Sequence, residues 1–117
     1  MKLLFFVFNR PERMDDLLAA FTKYEIKGAT IVDSMGMVHM LNNYYDEDEL
    51  PFLGAVRAFL KSDREKSNLI LAAMEDEKVP DAVAAIESVV GDLSAKDTGV
   101  VFTVPIDFVK GLYKNGK

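Results

Sequence analysis

Apolar positions along this chain follow two alternating rhythms. The stretch Leu3 to Phe8, "LLFFVF", is continuously apolar and short, as a strand covered on both faces should be. Pro11 then fits the first position of a helix, where its missing N–H costs nothing. Met14, Leu17, Leu18, Phe21 and Tyr24 recur at helical spacing, with Glu12, Arg13, Asp15 and Asp16 between them. Gly28 marks the end of that helix, and Ala29 to Asp33, "ATIVD", reads as a second strand.

The second half repeats the profile. Leu69 to Met74 is apolar, "EDEKV" breaks the pattern, and Pro80 opens a helix whose Val83, Ile86 and Val90 share a face with Val79. Gly91 ends it, and a β-branched and aromatic run from Val100 to Val104 stops at Pro105, which cannot donate a ladder hydrogen bond. Two strand–helix–strand units in tandem predict an α+β fold, a ferredoxin-like βαββαβ sandwich. The first and last strands are then neighbours. The final strand is expected to be central, with its apolar run in the core and Ile106, Phe108 and Val109 packed beyond it as a plug.

The halves are separated by a long insertion, about Met37 to Ser67, within a single domain spanning 1–117. Its first part, "NNYYDEDELP", is polar, and Leu41 to Leu50 is expected to be mobile without a partner. In its second part Phe52, Val56, Phe59 and Leu60 fall on one face of an expected short helix. Connections this long in a compact domain often display binding surfaces.

Charge narrows the choice of partners. The formal net charge is −5, so neither a nucleic acid nor an anionic membrane is expected as main partner, since each calls for a basic face. The opening apolar run is too short for a secretory leader, and Asn9, Arg10, Pro11 and Glu12 follow where small residues should be. No stretch approaches membrane-spanning length. The expected location is the cytoplasm. There is no cysteine, which removes disulfide, thiolate-metal and cysteine-nucleophile chemistry.

Few residues carry candidate chemistry. Asp46 to Glu49 lacks the alternation and central glycine of a calcium loop and reads as a solvated run. His39 is the single histidine, placed at the foot of the insertion, where it can meet a ligand or titrate. Met35, Met37 and Met40 have the spacing of a soft-metal collar beside it, though methionine more often fills gaps in a core. Ser34, Ser62, Ser67 and Ser94 lie in no nucleophile pattern, so no enzyme is expected. Gly36 and Gly99 fall where tight turns or close approach to a ligand would require them.

Order and spacing, taken together, resemble the nitrogen-regulatory PII signalling family and its wider PII-like superfamily. The carriers are "LLFFVFNRPERMDDLLAAF", "IKGATIVDSMGM" and "TGVVFTVPIDFVKGL". The resemblance implies a homotrimer with ligand clefts between subunits. It also implies a central loop, about Leu41 to Leu50, that reports ligand state to a regulated protein, within nitrogen metabolism in the family at large. Thr30 falls where the family places an adenine-contacting threonine. Gly36 matches the first glycine of the family's "GFG", with Met37 beside it; Val38 stands at the second glycine and His39 at the following arginine. The family's "GDGK" aligns with "DTGV", which keeps Gly99 but has Val100 for the lysine, leaving Lys96 as the nearby cation. The implied ligand is an adenine nucleotide, and no other cofactor is implied. With one lysine at the site, a mononucleotide or cyclic nucleotide is favoured over ATP. Two related readings are a CutA-like divalent-cation-binding trimer and a cyclic-di-AMP receptor, whose last strand ends in a pattern similar to "TVPIDFV".

Overall fold

A computed structural model describes residues 1–37, 40, 67–95 and 98–112. The acidic run, the expected loop from Leu41 to Leu50 and the expected helix from Phe52 to Leu60 lie outside these residues, as do His39 and Lys96. The described elements run β1 (Lys2–Phe8), α1 (Met14–Lys23), β2 (Thr30–Ser34), β3 (Ser67–Met74), α2 (Val79–Val90) and β4 (Val100–Pro105). Short 3₁₀ turns, Pro11–Arg13 and Asp76–Lys78, precede the two helices. The strands form one antiparallel sheet in the order β2-β3-β1-β4. This is a small α+β fold, compatible with a ferredoxin-like sandwich.

Both helices cover one sheet face. Leu4, Phe6 and Phe8 of β1 and Ile70, Ala72 and Met74 of β3 point toward Leu17 and Phe21 of α1 and Ala82, Ala85, Ile86 and Val89 of α2. Fully burying a side chain such as Phe6 or Ile86 contributes about 1.5–3 kcal/mol, so this cluster dominates the favourable side of folding. The stripe on α2 is rotated from the one its valines suggest. Small Ala82 and Ala85 sit at the centre because close approach to α1 and the sheet excludes larger side chains, while Val83 and Val90 are half-buried. Arg13 joins the helix ends: its Nη1 donates to the Val89 carbonyl and its Nε to Asp16 at 3.0 Å. A cation beside the free carbonyls at the end of α2 is favourably placed.

Two expectations are corrected here. The strand β4 does neighbour β1, but it is an edge strand rather than a central one. It is also largely outside the core. Only Val101 packs against the buried cluster, whereas Val100 is 57% and Phe102 48% exposed. Phe108, expected in an apolar plug, is 80% exposed. The physical reason is that β1 and β3 alone have both ladder sides occupied, so they sit under the helices and the outer strands receive less cover.

Nor is β1 covered on both faces by described elements. Its alternate residues Leu3, Phe5 and Val7 are only half-buried. Strand register places them in apolar rows: Val32–Leu69–Val7–Val100, Thr30–Leu71–Phe5–Phe102, and Ala73–Leu3–Val104. Phe5 and Phe102 stack in the middle row, with ring centroids 4.9 Å apart. No ionisable residue occurs in any row, and no described element packs on this side.

Candidate functional site

The sequence singles out Thr30, Gly36, Met37, His39, Lys96 and Gly99. Thr30 begins β2 and is exposed on the open sheet face, level with Leu71. Gly36 follows β2, and its carbonyl accepts from the Met40 N–H at 3.0 Å, a bond of helical spacing. Met37, in that turn, is 74% exposed. Gly99 stands just before β4.

The four described candidates do not share one sheet edge. Thr30, Gly36 and Met37 belong to the β2 edge and Gly99 to the β4 edge, with β3 and β1 between. Three strand spacings separate the edges, about 14 Å. Gly36 and Gly99 do share an end of the sheet, because Val32 and Val100 lie in one register row.

The two glycines differ in what holds them. A Cβ built on Gly36 meets nothing within 4 Å, so the residue is not required by packing among the described residues. On Gly99 the same atom would fall 2.7 Å from the Val7 carbonyl oxygen and 2.8 Å from Cε1 of Phe6, and φ is +118°. Gly99 is therefore needed for β4 to enter alongside β1, whatever its relation to a ligand.

The described part of the loop before Gly99 is held by side chains of the loop and of α2. Asp92 Oδ1 accepts from the Ser94 N–H at 2.9 Å and from its hydroxyl at 2.7 Å. The Ser94 hydroxyl, and then its N–H, hold the Asp92 carboxyl below the usual range. Glu87 accepts from the Leu93 N–H, and the Thr98 hydroxyl donates to the Ala95 carbonyl at 2.9 Å.

Other polar groups at this end were not singled out by sequence. The Ser34 and Ser67 hydroxyls lie 2.8 Å apart, and Asn68 donates to Asp33 at 3.2 Å. Half-buried Arg10 stands two residues beyond β1 and brings a positive charge to the same end of the sheet. The available signal was its position, an arginine at the end of a buried strand. Among the described residues, no group of three or more His, Cys, Asp or Glu side chains could hold a metal ion. No described helix is long and apolar enough to cross a membrane. No protein-family model matches the chain, and comparison with curated proteins finds no relative.

Proposed function

We propose that this chain is a PII-like regulatory protein, not an enzyme, that works as a cytoplasmic homotrimer and senses a small adenine nucleotide in clefts between subunits. The loop around Leu41–Leu50 carries the signal to a regulated protein, in the manner of the nitrogen-regulatory relatives. The observation that supports this reading is the division of the candidate residues between opposite sheet edges. Thr30, Gly36 and Met37 lie at the β2 edge and Gly99 at the β4 edge, an arrangement that suits a cleft to which neighbouring copies each lend one edge. The open apolar face between those edges supports self-association with the sheets turned toward a common axis. Thr30 contacts the base, the Gly36 and Gly99 backbones line the cleft, and Arg10 and Lys96 supply charge.

A thermal-shift panel tests the ligand: ATP, ADP, AMP, cyclic AMP, cyclic di-AMP and 2-oxoglutarate, with zinc and copper as separate arms. Saturation at about a hundred times the dissociation constant stabilises by roughly 2.7 kcal/mol, a shift of several degrees for a domain of this size. The site is then probed with Gly36→Val, since Gly36 has open space around it. A nucleotide shift lost in Gly36→Val supports the reading. No shift with any nucleotide at millimolar concentration overturns it, and stoichiometric metal uptake in its place favours the divalent-cation alternative.

A further inference from the structure

Three of the chain's six methionines fall within one short stretch, Met35, Met37 and Met40 of "MGMVHM". Methionines elsewhere serve packing: Met74 is 6% exposed in the core, and Met14 packs against it. Met37 and Met40 have no such role. They are 74% and 46% exposed, and neither joins the buried cluster. Filling gaps in a core, the usual use of methionine, therefore does not account for these two.

Backbone geometry brings the pair together. Met37 and Met40 are both helical, and the Met40 N–H donates to the Gly36 carbonyl at 3.0 Å. Residues three apart on a helical turn are neighbours, with Cβ atoms about 5–6 Å apart. Each methionine side chain has three rotatable bonds, so both sulfurs can reach one point beside the turn. Half-buried Met35 stands two residues before Met37, no more than about 7.6 Å away between Cα atoms, which is near enough to bring a third sulfur. Gly36, between them, puts no side chain in the way, and a Cβ built there would meet nothing within 4 Å.

Thioether chemistry decides what such a group can hold. A thioether is neutral, soft and polarisable, so it selects copper(I), whereas zinc suits imidazole and harder ions suit oxygen donors. Among the described residues no group of three or more His, Cys, Asp or Glu side chains offers a harder alternative.

We propose that Met37 and Met40, with Met35, form a thioether site for a soft monovalent cation, copper(I). The site goes beyond the nucleotide reading and does not depend on it, since its ligands lie in one short stretch of one chain.

The test uses the full chain, isotope-labelled at its methionine methyl groups, with each resonance assigned through a single Met→Leu variant. Silver(I), a redox-stable stand-in for copper(I), is titrated in as the nitrate, in chloride-free buffer without nucleotide. The methyls of Met35, Met37 and Met40 should shift together and saturate at one equivalent, with those of Met14 and Met74 unmoved. Copper(I), added anaerobically against a chromogenic chelator, should bind at least tenfold more weakly to Met37→Leu/Met40→Leu, a swap that conserves volume and so spares the fold. Zinc should move none of the three methyls, which separates this site from the divalent-cation alternative. Methyls of Met37 and Met40 that stay still under excess silver(I), a copper(I) affinity unchanged in the double variant, or an equal response to zinc overturns the site. Each of these results leaves the nucleotide reading standing, because that reading is decided by the thermal-shift panel.

Discussion

Phe5 and Phe102 stack across the β1–β4 ladder with ring planes 9° from parallel, on the side of the sheet that no described helix covers. Stacking of this kind contributes about 0.5–1.5 kcal/mol beyond area burial. Within one chain Phe102 is half exposed, so its truncation removes little packing. Phe102→Ala should therefore lower folding stability by only about 1–2 kcal/mol in urea denaturation. Its effect on self-association should be larger, because the ring stands at the middle of the proposed contact. A variant that assembles like wild type would show that the copies meet elsewhere.

Gly99→Ala should destabilise by about 3 kcal/mol or more, through overpacking against Phe6 and the Val7 carbonyl combined with strain at a positive φ. Chemical denaturation measures this directly. A loss under 1 kcal/mol would mean that the entrance to β4 relaxes easily. The same collision makes Gly99 unsuitable as a ligand-site probe, because a lost ligand and a lost fold would be indistinguishable.

Helix α1 ends in a turn usually built around glycine. The Glu25 N–H donates to the Thr22 carbonyl at 3.0 Å and the Ile26 N–H to the Phe21 carbonyl at 2.7 Å, with Glu25 at φ 59°. Ile26 and Phe21 are both buried, which supplies the apolar contact that accompanies such turns. A side chain in this conformation costs about 1–2 kcal/mol, and glycine offsets part of the gain through its freer unfolded chain. Glu25→Gly should raise stability by roughly 0.5–1 kcal/mol, visible as a higher melting temperature. A lower one would indicate that the Glu25 side chain makes an interaction worth more than the strain.

Asp92 gives the fold a pH dependence of known sign. The Ser94 hydroxyl and N–H lower its folded pKa below the unfolded value of about 3.9. The stabilisation is thus fully present above that unfolded value and is lost as pH falls through the lower, folded one. Melting temperatures of wild type and Asp92→Ala should differ at pH 6 and converge at progressively lower pH. Curves that stay parallel down to pH 2 would remove Asp92 from the account. Asp76 should follow the same direction through its hydrogen bond to the Met1 amine, 3.0 Å away.

What could be read from sequence was whatever periodicity encodes. Leu17 and Phe21 at helical spacing, the apolar runs at 3–8 and 69–74, and Gly91 closing α2 at φ 87° all led directly to elements of the fold. Edge and centre were not legible, because Leu3–Phe8 is apolar on both sides, Val100–Val104 is interrupted only by Thr103, and alternation cannot say which face the helices choose. The crowding at Gly99 depends on Phe6, far away in sequence, so it had no local signature. The αL conformation of Glu25 was hidden too, since the residue type argues against it. Separation of the candidate residues onto opposite edges followed only from strand order, and neither His39 nor Lys96 is among the described residues.

The strand order also bears on how the molecule is made. The strand synthesised first, β1, is central, and both partners come from far along the chain, at residues 67–74 and 100–105. Until those residues have been translated, "LLFFVF" has no ladder to join. It is a short, uncharged segment of high β-propensity without proline, the composition that drives strand aggregation. At ordinary translation rates it waits on the order of ten seconds for its last neighbour. Ribosome-bound chains halted before residue 100 should therefore hold residues 2–8 against a chaperone, and release them once β4 has emerged.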